Sequence, residues 1–331
     1  MGPHAIGFGS LNLDEFWEVG SDFLKSRHLH AGREYVQDLD WFREAYPVLQ
    51  NEGTLRGMDP GGSAANTIAA LRRMGFETGF YGVAGTDKAA SLRLSQLGNK
   101  ESLFIRKSDL PSGRCLSLID RDDPERDRTL VILPNANDEA AAEDPDPSVF
   151  REFQWVHMTS FVSHGPLEVQ IKLAENLGED TLVSFDPGAI YSARGFATLE
   201  PLLKRTEILF VTAEELEELT DYAEDPLEAV FGIGVKIVVV KLGSDGITAY
   251  QPGIVVHRPA KPPRSVKDRT GAGDVAAAGF LAGRIAGLAV EESLDLAVAT
   301  AARSIEEYGR SAYPDRAFLD GLVPDLDDSR A

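Results

Sequence analysis

Asp274 ends the run Asp268-Arg269-Thr270-Gly271-Ala272-Gly273-Asp274, the densest glycine–acid pattern in the chain, and an Ala-rich stretch of helical character follows it. Gly271, Ala272 and Gly273 carry little or no side chain, so a ligand can approach the backbone closely there. A helix starting at this point offers unpaired N–H groups and the positive end of its dipole, which together make an anion site. Such a site can hold a transferring phosphate while Asp274 takes the proton of an attacking hydroxyl. The plain alternative is a helix start whose first-turn carboxylate only caps, worth about 1 kcal/mol.

Other chemistries find no support. There is no G-x-x-x-x-G-K-[ST] loop, no H-E-x-x-H and no G-x-S-x-G, and Gly7-Phe8-Gly9 lacks the third glycine of a dinucleotide fingerprint. The single cysteine, Cys115, allows no intramolecular disulfide, which fits a reducing cytoplasm, and with no histidine near it in sequence it reads as structural. His157 and His164 are also taken as structural. The formal charge of −20 disfavours nucleic acid and anionic membranes as partners. It also means that a nucleotide site needs local compensation from a metal, backbone N–H groups or nearby Lys and Arg. The first ten residues lack a basic region before an apolar core, so no signal peptide is expected, and Val275–Val290 reads as a buried helix rather than a membrane span.

Patterning supplies the elements that position these residues. Residues 5–14 begin as an apolar strand, and "LDWFREAYPVLQ" has helical spacing. "GGSAANTIAALRRMG" (61–75) reads as a helix that Ser63 can cap and Gly75 can stop. Residues 79–85 read as a strand and 87–98 as a helix. Residues 102–107, 113–120 and 127–133 read as three short strands with a charged turn, "RDDPER", before the last. With no helix among them, they are expected to form a small antiparallel sheet added to the body. "NANDEAAAEDPDPS" reads as a polar linker. Beyond it, strands at "WVHMTSF", "TLVSFDPG", "ILFVTAEE" and "VKIVVVKLG" alternate with helices, which implies a mainly parallel sheet with ligands at its carboxyl edge.

"DRTGAGD" resembles the C-terminal signature of the ribokinase-like (PfkB-type) sugar and nucleoside kinases, and "GGSAANTIAALRRMG" resembles that family's N-terminal Gly-Gly-x-x-x-Asn pattern. The resemblance covers almost the whole chain and implies one catalytic domain over 1–331. The implied fold is a Rossmann-like parallel sheet flanked by helices with a small β-sheet lid, drawn from about 14–37 and 102–133. It implies ATP, Mg2+ and potassium as cofactors, a sugar or nucleoside as acceptor, and a homodimer paired through the lid.

Residue by residue, the resemblance makes Asp274 the catalytic base and Gly271, Ala272 and Gly273 the anion hole. Asn12 and Asp14 become the readers of sugar hydroxyls, with Gly61, Gly62 and Asn66 as the second wall of that site. "KLGSDG" matches the turn that holds ATP, with Lys241, Gly243 and Gly246, and the nucleotide is placed between it, the GAG turn and the helical region 297–308. Glu215 is kept near the magnesium, while Thr212 replaces the family's Asn and Lys241 a common Thr. Asp268, Thr270, Gly309 and Ser311 outline a monovalent-cation loop, and Arg269 has no assigned role. A binding protein that kept the fold without catalysis is the alternative, opposed by the intact Asp274 and glycine cradle. The long stretch between Asp14 and Gly61 resembles adenosine-kinase-like members. Its Phe16, Trp17, Phe23, Trp41 and Phe42 include candidates to stack on a base, which leans the acceptor toward a nucleoside.

Overall fold

The computed structural model describes residues 4–30, 33–86, 94–122, 128–141 and 145–324. A nine-stranded sheet has the order β14-β13-β12-β11-β10-β9-β1-β5-β6, built from β1 (Ala5–Phe8), β5 (Thr78–Ala84), β6 (Leu103–Lys107), β9 (Trp155–Thr159), β10 (Leu182–Asp186), β11 (Thr206–Thr212), β12 (Ile237–Lys241), β13 (Ile247–Gln251) and β14 (Ile254–Arg258). Its pairs are parallel from β6 through to β12, and the last two strands add antiparallel hairpins. The inner strands read as apolar runs because both faces are covered. Ile208 and Phe210 point into one core while Leu209 and Val211 point into the other.

Strand order reverses around β1, with β5 on one side and β9 on the other, so the crevice for a ligand opens beyond their carboxyl ends. The helices Ser63–Arg73 and Ala272–Ile285 pack against each other on one face, and both begin at that crevice. Small residues set how closely Ala272–Ile285 approaches Val290–Ser304. A methyl on Gly283 would lie 2.5 Å from Ser293 Oγ, and one on Gly279 would overlap Thr300 Oγ1. The apolar run from Val275 is therefore two helices broken at Gly287 (φ +73°), and no helix among the described residues is long and apolar enough to cross a membrane.

The second sheet has five strands in the order β3-β8-β7-β2-β4, from β2 (Asn12–Val19), β3 (Glu34–Val36), β4 (Thr54–Gly61), β7 (Gly113–Asp120) and β8 (Arg128–Leu133). Its membership corrects the expected lid. The strand at 103–107 pairs in parallel with β5 as the edge of the large sheet, and β4 takes its place in the small one. The small sheet is also mixed rather than antiparallel, since β2 runs parallel to β7. Side chains of β2 alternate: Leu13, Glu15, Trp17 and Val19 are buried, and Asn12, Asp14, Phe16 and Glu18 are half-exposed on the opposite face. The buried face is covered by Phe23, Leu24 and Leu49 from the helices Ser21–Ser26 and Leu39–Glu52. Under it, Glu15 is fully buried and accepts from Trp17 Nε1, Tyr46 Oη and the Arg114 guanidinium.

Three further expectations change. The supposed linker at 135–148 begins as a 3-10 turn, Asn135–Ala141, with Asn135 and Asn137 buried. Ser63 does not cap its helix, because Gly62 holds the N-cap position. Of the helix expected at 87–98, Leu94–Gln96 forms a 3-10 turn and 87–93 lie outside the described residues, as does most of the "RDDPER" turn.

Candidate active site

Asp274 occupies the first turn of Ala272–Ile285, yet its carboxylate does not cap that helix: Gly271 is the N-cap, in the left-handed region at φ +75°. Asp274 Oδ2 instead accepts from Asn66 Nδ2 at 2.8 Å, and Thr67 Oγ1 donates to the Asp274 carbonyl at 3.1 Å. The carboxylate thus bridges the two helix starts. Burial pushes its pKa up to about 7; Asn66 and Lys241 hold it down while Asp186 raises it further. The group titrates where a general base is useful.

Asp14 comes to the same place from the small sheet. Its neighbour across the ladder is Asp59, and Asn12 faces Gly61 in the same register. Burial raises Asp14 to about 7, Arg310 opposes this, and Asp274, Asp59 and Asp268 add to it. A Cβ on Gly61 would overlap the Asp14 carboxylate and push it from its place, so glycine keeps that carboxylate where it stands. Gly62, at φ +96°, would drive a Cβ into the Ser10 carbonyl oxygen. Gly62→Ala is therefore expected to lower stability by roughly 2–3 kcal/mol, read as the midpoint of chemical denaturation.

Around the phosphate side, Lys241 Nζ lies 2.6 Å from Asp186 Oδ2, with both side chains largely buried. Burial works against the lysine's charge, but Asp186, Glu215 and Asp274 outweigh it and its pKa lies above the ordinary value. A methyl on Gly273 would lie 3.4 Å from Lys241 Cδ, so the lysine runs beside the glycine turn. Thr212 and Glu215 form a capping box: Glu215 Oε2 accepts from Thr212 N at 2.8 Å and Thr212 Oγ1 from Glu215 N at 3.1 Å. Glu215 is raised by burial, with Lys241 opposing. The glycines of the KLGSDG turn divide. A Cβ on Gly246 would overlap Arg258 O, so the hairpin requires that glycine, whereas nothing lies within 4 Å of one on Gly243, which leaves its surface open. Among the described residues no group of three or more His, Cys, Asp and Glu is spaced to hold a metal alone.

The structure thus brings Asn12, Asp14, Gly61, Gly62 and Asn66 together with Asp274 and the 271–273 turn, and sets Lys241 beside them with Glu215 interacting electrostatically. Sequence reading missed two contributors. Asn137 Nδ2 donates to Asn12 Oδ1 at 2.8 Å, while Asn137 Oδ1 accepts from Leu11 N, which fixes the amide of Asn12. Arg310 donates to Asn66 Oδ1 from Nε and Nη2 at 3.2 and 3.0 Å. Neither lies in a recognisable motif; the Arg310–Asn66 pair spans 244 residues. Asp268 accepts from Thr270 N at 2.9 Å and Gly309 N at 3.3 Å, which ties the turn before the cradle to the turn that carries Arg310.

Comparison with known proteins agrees with this arrangement. The pfkB family carbohydrate kinase model matches residues 34–316. An uncharacterized sugar kinase of Archaeoglobus fulgidus is 33% identical over 245 residues, covering 72% of this chain and 95% of that protein. The ATP-dependent ribose-1-phosphate kinase of Halopiger xanaduensis is 32% identical over 279 residues, 81% of this chain and 88% of that protein. The solved nucleoside kinase of Methanocaldococcus jannaschii shares the fold with a TM-score of 0.77 at 21% identity, over 98% of this chain and 99% of that one. With both signature segments and the ribokinase-like architecture in place, the chain belongs to the pfkB family of carbohydrate kinases.

Proposed function

We propose that this protein transfers the γ-phosphoryl group of ATP to a primary hydroxyl of a sugar or nucleoside. The observation that carries the reading is Asp274: a half-buried carboxylate at the mouth of a helix, beside an N–H turn with little side chain, held by Asn66 rather than spent on capping. The acceptor hydroxyl donates to Asp274 and loses its proton to it as the oxygen attacks phosphorus. The N–H groups at 271–273 take up the charge on the transferring group. Asp14 accepts from vicinal hydroxyls. Asn12, with Oδ1 committed to Asn137, offers its NH2. The nucleotide lies along the open surface at Gly243. Relatives with named activities include a nucleoside kinase, a ribokinase and the ribose-1-phosphate kinase, so family membership leaves the acceptor open.

The donor set suits a Mg2+ that arrives on the phosphates. Oxygen ligands from Glu215 or Asp186 would complete its shell, and the ion would neutralise the β- and γ-oxygens. Lys241 supplies a fixed cation on the same side. Asp268 and the Gly309 turn would be the place where potassium acts, by holding the loop of Arg310. The small sheet, whose Asn12–Asp14–Phe16 face looks into the site, would close as a lid and exclude water. Phe16 is the aromatic of its stretch that shares this face, whereas Trp17 and Phe23 are consumed by the lid's own core. A homodimer through the lid loses one argument, since the face thought to need cover is covered by this chain's helices, and light scattering reads the state.

A coupled assay of ADP release over a panel of sugars, sugar phosphates and nucleosides tests the reading. No acceptor-dependent ADP from any of them, or activity that persists in excess chelator, would overturn it. The pH dependence follows from the two raised carboxyls. The base works only when ionised, so kcat/KM is expected to rise with pH through about 7 and to fall roughly tenfold per unit below it. A flat profile between pH 5 and 8 would contradict Asp274 as the base.

A further inference from the structure

The geometry points to a second anion site beside Asp274, a subsite formed by Arg310, Arg72 and Arg73 that takes a phosphate monoester already present on the acceptor. The inference rests on the kinase reading and narrows its substrate class. A cavity of about 450 Å³ opens along the helix Ser63–Arg73, lined by Arg72, Arg73, Gln96, Arg310 and Tyr313 and also by Asp59. Arg310 is only 8% exposed. Its hydrogen-bond partners are neutral: Asn66 Oδ1 at 3.2 and 3.0 Å and Gln96 Oε1 at 3.0 Å. Arg72 donates to Ser95 O and Asn99 Oδ1, and Arg73 donates to Arg310 O. Among the described residues none of the three forms an ion pair.

That is unusual for this chain. Asp and Glu number 53 against 33 Lys and Arg, so acidic partners are abundant. Elsewhere Arg114, Lys241, Arg258, Lys267 and Arg303 each have one. Asp14 and Asp274 act on the Arg310 charge from across the site, but neither closes on it as an ion pair among the described residues, so the guanidinium keeps room for an anionic ligand as its direct partner. A phosphate dianion suits a planar fork with further cations nearby better than a single carboxylate does. The position also fits. Arg310 reaches Asp274 through one residue, Asn66, whose Oδ1 accepts from the guanidinium and whose Nδ2 donates to the base. One sugar ring can then place its phosphate at Arg310 and a free hydroxyl at Asp274. Transfer breaks the γ-phosphorus–oxygen bond of ATP, forms the acceptor O–P bond, passes the hydroxyl proton to Asp274, and yields ADP and a bisphosphorylated sugar.

The test is calorimetric titration of the full chain with ribose 1-phosphate, ribose, ribonate and adenosine, in wild type, Arg310→Gln and Arg73→Gln. Ribose 1-phosphate should bind at least about 10-fold tighter than ribose, and Arg310→Gln should remove that preference, so that the two ligands bind alike whatever the change does to ribose itself. Arg73→Gln, at an exposed side chain whose amide can still reach the Arg310 carbonyl, should weaken the phosphorylated ligand more than ribose. Equal binding of ribose and ribose 1-phosphate, or tighter binding of ribonate or adenosine that ignores Arg310, would overturn the inference. ADP release on ribose or adenosine with no dependence on Arg310 would do so too, while leaving the kinase reading intact. A persisting phosphate preference with no ADP released on any acceptor would instead break the kinase reading and keep the subsite.

Discussion

Asp274→Asn should lower turnover by at least about 100-fold while acceptor affinity changes little. Asparagine keeps the size of the side chain, and its carbonyl can still accept from Asn66 Nδ2, so the junction between the two helix starts survives. What it loses is the ability to take a proton. The same change should make the protein more stable at neutral pH, and the sign follows from the raised pKa. With the carboxyl near pH 7 folded and at its ordinary 3.8 unfolded, the folded chain holds a proton that the unfolded chain has already released across that interval. Stability from this group is therefore present at low pH and lost as pH rises toward 7. Relieving it is expected to add roughly 2–4 kcal/mol at pH 8, a gain that vanishes below about pH 4. A slow enzyme with a higher denaturation midpoint is the expected pair of results. Near-normal turnover would remove Asp274 from the role of base, and loss of both turnover and stability would mark it as structural.

Lys241→Met should lower both stability and turnover. Asp186 is 5% exposed, and its partner at 2.6 Å is Lys241. Removing one member of a buried pair leaves an uncompensated charge and costs roughly 3–5 kcal/mol. The lysine also lies beside Gly273, where its charge offsets the phosphates in a chain whose formal charge is −20. Loss of that cation is expected to reduce kcat by about 100-fold. A second substitution reads the stability effect by itself. Lys241→Met with Asp186→Leu replaces the ion pair by an apolar one, which should recover most of the stability and leave the enzyme slow. Full recovery of kcat in the double variant would show that Lys241 serves the fold alone.

Much of this molecule is legible in its sequence, for local reasons. Strands buried on both faces must be apolar throughout, so β9, β11 and β12 announce themselves, and the helices between them imply the parallel sheet. The functional glycines are legible because the backbone constrains them where they stand: Gly62 and Gly271 adopt positive φ, and Gly61 is pressed against Asp14. Asp274 follows from its place after such a turn. What the tertiary structure decided is pairing. Nothing in "LFIRK" states whether it joins β5 or β7, because an edge strand's partner depends on which sheet has room. The strand Thr54–Gly61 has exposed or half-exposed residues over most of its length and so carries no alternating signal. The meaning of Asn137 and Arg310 depends wholly on distant neighbours, 125 and 244 residues away in the chain. A polar residue looks alike in sequence whether it faces water or is buried against a catalytic carboxylate. Only the burial of Arg310 among neutral amides turns an ordinary arginine into an expectation about the ligand, because desolvation, unlike residue type, is a property of the folded chain.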